Sequence, residues 1–391
     1  MNNNICAIIV TYNPEPTDVK TLIERITPSV DRIVIVDNGS KDSDMIMSFA
    51  KQDAKVDICF LGDNFGVATA QNVGIKLALE DNFKFIILFD HDSLPDVGMI
   101  NNLLDAYKTL HMQGIRVAAV GANWRERNSG VRWRNLSEER PFFKEEMVIS
   151  SGCLIPAEAL LDIGLMLDNL FIDHIDAEWC MRATEKYREH NKRMETDRCW
   201  KIFIVSNALM GHSLGRGTIK LGIGIGGILG SMLGAFGGLI GVLLGASISV
   251  TNAIFFGLTG ALLGGTIAKL ANAEAYWASP ARLYFGFRNS VYLWTRSSYI
   301  LRWKLRDAFF RVAQFSLVCL GVYPTNRFSL MKLVFRGIWH GITGKLGPIS
   351  GVPIKDEITY TLVSQGSVKE KIYKLSDSAI NQQQELVAEN N

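Results

Sequence analysis

The sequence predicts an α/β fold with a mostly parallel central sheet, and three observations carry that expectation. Short apolar runs recur at Ile5-Cys6-Ala7-Ile8-Ile9-Val10, Ile33-Val34-Ile35-Val36 and Phe85-Ile86-Ile87-Leu88-Phe89, with the length and composition of strands covered on both faces. Each run stops at a turn or an acid: Thr11-Tyr12-Asn13-Pro14, Asp37-Asn38-Gly39-Ser40 and Asp90-His91-Asp92-Ser93. Between the last two, the polar loop Gly62-Asp63-Asn64-Phe65-Gly66 leads into the small-residue stretch Val67–Gly74, which reads as a helix. Sheets of this kind bind ligands beyond the carboxyl ends of their strands, where these polar residues fall.

Composition bounds the partners. A chain of 391 residues has room for two domains or one large one. A net charge of +2 provides no global field that would draw nucleic acid. The six cysteines show no CxxC pair or metal spacing, so Cys6 and Cys180 read as packed, reduced thiols. Met1-Asn2-Asn3-Asn4 lacks the basic and apolar regions of a signal peptide, and a reducing cytoplasm is the expected compartment.

In chain order, the first strand runs into Thr11, Tyr12 and Asn13, and the second ends at Asp37 before an Asn-Gly turn. Asp before such a turn is common for turn reasons alone. Asp90 and Asp92 are two apart in extended chain, so both carboxylates point one way. Like charges so placed repel, and a hard divalent cation relieves the repulsion. His91 alternates to the other side and reads as a spacer. Ser151-Gly152 is a plain turn by composition. Phe171-Ile172-Asp173-His174-Ile175-Asp176-Ala177-Glu178-Trp179 supplies three more carboxylates at the start of a helix, where Asp176 is also a favourable N-cap. Read from the residues, a general base stays open among Asp173, Asp176 and Glu178. The strand Lys201–Val205 and its short continuation end at His212.

Taken in this order, the motifs resemble the inverting GT-A glycosyltransferases, and within them the bacterial rhamnosyltransferases. The likeness covers residues 5–216 and resumes near Tyr276, at Ser279-Pro280-Ala281-Arg282-Leu283-Tyr284 and Arg288-Asn289. The resemblance implies a nucleotide-sugar-binding GT-A fold and a donor such as dTDP-L-rhamnose. The acceptor would be a hydroxyl of a cell-surface polysaccharide or lipid-linked glycan. Thr11, Tyr12, Asn13 and Asp37 would line the nucleotide pocket, with Asn64, Gly66 and Asn72 after the third strand and Asp90 completing the candidate contacts. Asp90, Asp92 and His212 would hold Mg²⁺ or Mn²⁺. Asp176 aligns with the family's base, while Ser151, Gly152, Asp173 and Glu178 would face the acceptor. His91 departs from the pattern, since related rhamnosyltransferases often carry Gln there.

From Leu221 to Ala268 there is no charged residue, and glycines recur four apart at Gly226, Gly230 and Gly234, and at Gly237, Gly241 and Gly245. Such a stretch makes a poor soluble helix, exceeds the ~20 residues that one membrane span needs, and suits two closely packed arms. It is read as a helical hairpin returning the chain to the side it left. The alternatives are a buried soluble hairpin and an interface between copies of the chain. Typical rhamnosyltransferases lack it. The basic, aromatic segment Tyr299–Arg311 suits an anionic membrane surface and equally a core-facing helix with a solvated basic face. The expected layout is a GT-A catalytic domain (1–216), a glycine-rich hairpin (217–271), C-terminal amphipathic helices completing the enzyme and associating with membrane (272–365), and a polar tail (366–391). The expected location is the cytoplasmic face of the bacterial inner membrane. Two other classes compete: a glycoside hydrolase, which would need neither metal nor nucleotide, and a glycine-zipper membrane scaffold with an inactive transferase domain.

Overall fold

The computed structural model describes residues 4–50, 53–127, 140–190, 199–213, 218–220, 274–276, 279–295, 301–319, 325–350, 357–364 and 366–375, with single residues 130, 136 and 323. The chain divides into two compact units, Met1–Ser213 with Leu346–Asn391, and Leu214–Lys345.

In the first unit the apolar runs form strands β1 (Ile5–Thr11), β2 (Arg32–Asp37) and β4 (Phe85–Asp90), with β3 (Val56–Phe60) beside β2. These four are parallel in the order β3-β2-β1-β4. Their registers set Thr11 beside Asp37 and Val10 beside Asp90, so the polar strand ends share one edge. Helices α1 (Pro16–Ile26), α2 (Ser43–Ala50), α3 (Val67–Glu80) and α4 (Met99–Met112) cover the sheet. Ile5, Ile9, Leu22, Ile35, Ile87 and Leu103 belong to its continuous buried core.

Beyond β4 the sheet stops being parallel, which corrects the expected mostly parallel sheet. After the two-residue β5 (Leu94–Pro95), β6 (Val117–Glu126), β7 (Phe142–Glu145), β8 (Cys153–Pro156) and β9 (Lys201–His212) extend it, and two strands from the carboxyl end bring the mixed sheet to eleven among the described residues. The four-residue β8 runs antiparallel to both β4 and β6, while β6 and β9 are parallel. A strand that short carries no periodicity from which its direction could be read. Helices α5 (Ala157–Ile163) and α6 (Ile175–His190) lie between β8 and β9.

A second correction concerns the carboxyl end. Ser367–Lys374, expected to begin a polar tail, is strand β13, paired antiparallel with β12 (Glu357–Ser364), which in turn pairs with β3. The chain therefore returns to the edge of the first unit's sheet. β13 is charged because it is an edge strand with most of its side chains in water, and charge on an edge blocks pairing with other chains. Tyr373, 2% exposed, is its buried anchor.

The second unit contains a ladder of β10 (Thr218–Lys220) against β11 (Glu274–Tyr276), so the two ends of the glycine-rich stretch lie side by side. That stretch, 221–273, and the last residues, 376–391, lie outside the described residues, as does the hairpin expected there. Helices Pro280–Trp294, Leu301–Cys319 and Arg327–Thr343 follow, around a core of Leu283, Phe287, Val318, Tyr323, Leu330 and Val334. The side chains of Ser279 and Asn326 cap the first and third. Among the described residues no helix is long and apolar enough to cross a membrane.

Candidate functional site

Strand β4 carries Asp90 at its end, and the chain turns at once, the Ser93 N–H donating to the Asp90 carbonyl at 3.1 Å. The turn brings Asp92 back toward Asp90, and β9 ends beside them at His212. One ligand atom from each of Asp90, Asp92 and His212 lies within 4.8 Å of the others. Burial pushes the Asp92 carboxyl up from its ordinary pKa, the Asp90 charge pushes it further, and His212 and His91 pull it back. The Nδ1 of His212 is buried without a hydrogen-bond partner among the described residues, and Trp124 packs edge-on against its ring. Two crowded carboxylate groups beside an imidazole form an O,O,N donor set that fits a divalent cation such as Mg²⁺ or Mn²⁺.

The turn is held from behind. Ser151 Oγ accepts the Asp90 N–H at 3.1 Å and lies 2.6 Å from Ser93 Oγ, both hydroxyls being buried. Arg127 donates to the Asp92 carbonyl at 2.8 Å and pairs with Asp18 at 3.1 Å. Ser93 and Arg127 were not anticipated. Ser93 stands inside the acidic motif, but nothing in the sequence marks Arg127.

Asp176 sits in the first turn of α6, next to the same edge. Its carboxylate accepts the N–H of Ala177 at 2.8 Å. Burial raises its pKa, while the Ala177 N–H, the His174 charge and the Ser150 N–H hold it down and the Asp90 charge adds to the rise. Asp176 thus shares an electrostatic environment with Asp90. The loop that presents it is unusual: Phe171, Asp173 and His174 all have left-handed backbone, with φ of 65°, 65° and 63°. Such geometry in residues other than glycine costs on the order of 1–3 kcal/mol each and persists where the surroundings enforce it.

Part of that enforcement comes from α3. The N–H of Val67 donates to the Phe171 carbonyl at 2.7 Å, so the loop caps the helix. Gly66 has a φ of +93°, and a Cβ there would lie 2.6 Å from the Phe171 oxygen. The close approach at Gly66 is therefore to the loop that presents Asp176.

Other anticipated residues divide between site and scaffold. Asp37 is 2% exposed, and its carboxylate accepts the Thr11 hydroxyl at 2.9 Å and the N–H and hydroxyl of Ser40 at 2.9 and 2.5 Å. It ties two strand-end loops together, and Tyr12 stands exposed beside it. Asn13, with φ 45°, bonds Ser40 and Lys41, while Asn64 accepts from Asn38 and Gly66. Asn72 is not brought to the site. It is fully buried, and its amide is occupied by Met166 at 2.9 Å in both directions and by Asp168 at 3.0 Å. Glu178 is likewise committed inward: 1% exposed, it accepts two bonds of 2.9 Å from Arg182. Gly152 packs against Met210 and Ala122 at a φ of +72°, a conformation that serves the turn into β8.

Residues 6–157 match the family described as glycosyl transferase family 2. Over that stretch the chain is similar to a family 2 glycosyltransferase domain. It is rhamnosyltransferase-like: the dTDP-rhamnosyl transferase RfbF of Shigella flexneri is 33% identical over 201 residues, which cover 47% of this chain and 64% of that protein. The chain thus spans less than two thirds of that curated relative. Among solved structures, a mycobacterial protein matches with a TM-score of 0.37 at 14% identity, covering 63% of this chain and 76% of that one. A mannose-1-phosphate geranyltransferase, so titled, from Thermus thermophilus matches with a TM-score of 0.32 at 9% identity, covering 52% and 73%. At these scores neither bears on the site. The acidic turn, Asp90 to Ser93, falls inside the matched region, whereas Asp176 and His212 lie beyond it.

Proposed function

We propose that the chain transfers a sugar from a nucleotide sugar to an acceptor hydroxyl with inversion at the anomeric carbon, L-rhamnose from dTDP-L-rhamnose being the favoured donor. The observation that carries the reading is the convergence of Asp90, Asp92 and His212 at the end of β4, within electrostatic reach of Asp176. The donor assignment is drawn from the likeness to a dTDP-rhamnosyl transferase. A polysaccharide or lipid-linked glycan on the cytoplasmic side of the inner membrane is the proposed acceptor.

In this reading Asp90, Asp92 and His212 hold Mg²⁺ or Mn²⁺, which when bound supplies positive charge against the departing diphosphate. Asp176 takes the proton of the acceptor hydroxyl as its oxygen bonds to the anomeric carbon and the carbon–phosphate oxygen bond breaks. A carboxylate whose proton affinity is raised by burial suits that task. Thr11, Tyr12 and Asn13 lie beside Asp37 to receive the nucleotide, with Asp37 positioning the loop. Ser151 positions Asp90 through its N–H. Convergence of these groups argues against an inactive transferase domain.

Titration calorimetry with a panel of nucleotide sugars, with and without Mn²⁺, tests the reading. Tightest binding of a dTDP-sugar, dependent on Mn²⁺ and lost in Asp92→Asn, is expected. Binding that ignores the metal and survives this substitution would overturn the metal assignment.

A further inference from the structure

Eight of the thirteen large apolar side chains exposed among the described residues lie on two neighbouring helices, Leu301–Cys319 and Arg327–Thr343. On the helix Arg327–Thr343, Leu330, Val334, Gly337 and Gly341 form the buried side at the spacing of one helix face. The opposite side carries Phe328, Phe335, Trp339 and Ile342, 55% to 63% exposed. Their spacings of seven, four and three residues again make a single stripe. Lys332 and Arg336 flank that stripe on one side and Arg327 on the other, and this helix contains no acid.

The helix Leu301–Cys319 repeats the composition. Leu301, Leu305 and Phe309 are exposed at intervals of four, with Arg302 and Arg306 one residue further on. Its one acid, Asp307, is drawn inward, accepting from Trp294 Nε1 at 3.0 Å and lying 3.6 Å from Arg311 Nε. The outward charge of both helices is therefore positive.

We propose that these two helices dock the protein onto an anionic lipid surface, lying in the plane of the interface. The aromatic stripe would enter the boundary of the acyl chains, and the lysines and arginines would meet the headgroups. Charge complementarity selects this occupant. A two-fold contact between copies of the chain would set the same basic face against itself. Crossing the bilayer is a different matter, since one side of each helix is committed to the core of the unit. The inference is independent of the transfer reaction.

Hydroxyl-radical oxidation of Phe335 and Trp339, read by mass spectrometry on the full chain, tests it. Oxidation should fall several-fold with vesicles of phosphatidylcholine containing one-third phosphatidylglycerol, and should not change with phosphatidylcholine alone. K332E/R336E should weaken binding to the anionic vesicles by more than about tenfold, since each surface cation is worth about 1 kcal/mol near such a membrane. Because Lys332 and Arg336 are exposed, this variant keeps its fold. Unchanged oxidation with anionic vesicles would overturn the proposal. So would protection that appears without lipid and grows with protein concentration, which would assign the face to a second copy.

Discussion

Asp92 occupies a poor place for a lone carboxylate, half-buried beside Asp90 and with its pKa pushed up by both circumstances. Its substitution should therefore cost the fold little and activity much. Asp92→Asn is expected to abolish Mn²⁺-dependent transfer while its thermal midpoint stays at or above that of the parent. Full activity with Mn²⁺ and a dTDP-sugar would sink the assignment. Asp176→Asn removes the proposed proton acceptor while leaving the residues proposed to hold the donor in place. Transfer should fall by about 10²- to 10⁴-fold with donor affinity kept; a loss under about tenfold would move the base elsewhere. Glu178, equally acidic in sequence, behaves otherwise. Glu178→Gln removes the counter-charge of the half-buried Arg182 guanidinium, which keeps its bonds to the Ile163 and Leu165 carbonyls, and stability should drop by on the order of 3 kcal/mol in chemical denaturation. Nothing in the wording of Asp173–Glu178 ranks the three acids. The helical spacing of four that gives Glu178 to Arg182 separates it from the others only once α6 exists.

Loop and helix depend on one another at the next scale. The Phe171 carbonyl caps α3, α3 fixes the loop that presents Asp176, and Gly66 permits the contact because it lacks a Cβ. Gly66→Ala meets both a left-handed φ and a 2.6 Å clash with backbone. A loss of about 1–3 kcal/mol is expected, together with reduced transfer, since the displaced segment leads to Asp176. Denaturation midpoints and initial rates of the variant measure both. An unchanged midpoint would show that the loop does not bear on the helix. Asn72, on the same helix, works to the same end by clasping Met166 and Asp168.

At the scale of the molecule, the returning hairpin β12–β13 is tied to this assembly at Asp168. Its carboxyl is buried and accepts Tyr373 Oη–H at 3.0 Å and Asn72 Nδ2–H at 3.0 Å. Burial raises its pKa to about 6 from 3.8, against the pull of those bonds and of the Lys76 charge. A folded-state pKa above the unfolded one means that the protonated form is favoured by folding. That stability is complete below about pH 4 and is lost as pH rises through 6, by on the order of 3 kcal/mol at most. Asp168→Asn should erase this part of the slope. Urea denaturation of parent and variant at either end of the window checks it, parallel profiles being the contrary result. A second expectation concerns the glycine-rich stretch. Replacing Leu221–Ala268 by a short Gly-Ser linker should leave nucleotide-sugar binding within about threefold of the parent, less than 1 kcal/mol in affinity. The β10–β11 ladder already brings its ends together, and every proposed donor contact lies in the other unit. Calorimetry on the deleted chain decides this.

What the sequence determined by itself is the local chemistry. The uninterrupted apolar runs could only be covered strands, and acids closing them could only collect at one edge of a parallel sheet. Asp37 and Asp90 stand at those strand ends, whereas Asp92, expected to point with Asp90 along extended chain, reaches it through a turn instead. His212 was legible through likeness to a family, and its meeting with Asp92 needed β9 to run its full length beside β6. Tertiary structure alone decided the rest. The direction of β8, the return of β12 and β13 to the edge at β3, and the inward commitments of Asn72 and Glu178 rest on partners far away in sequence or on burial. Neither distance nor burial is written in a local pattern: Ser367–Lys374 has the composition of a solvated tail because an edge strand is itself mostly solvated, and one buried tyrosine is what makes it part of the fold.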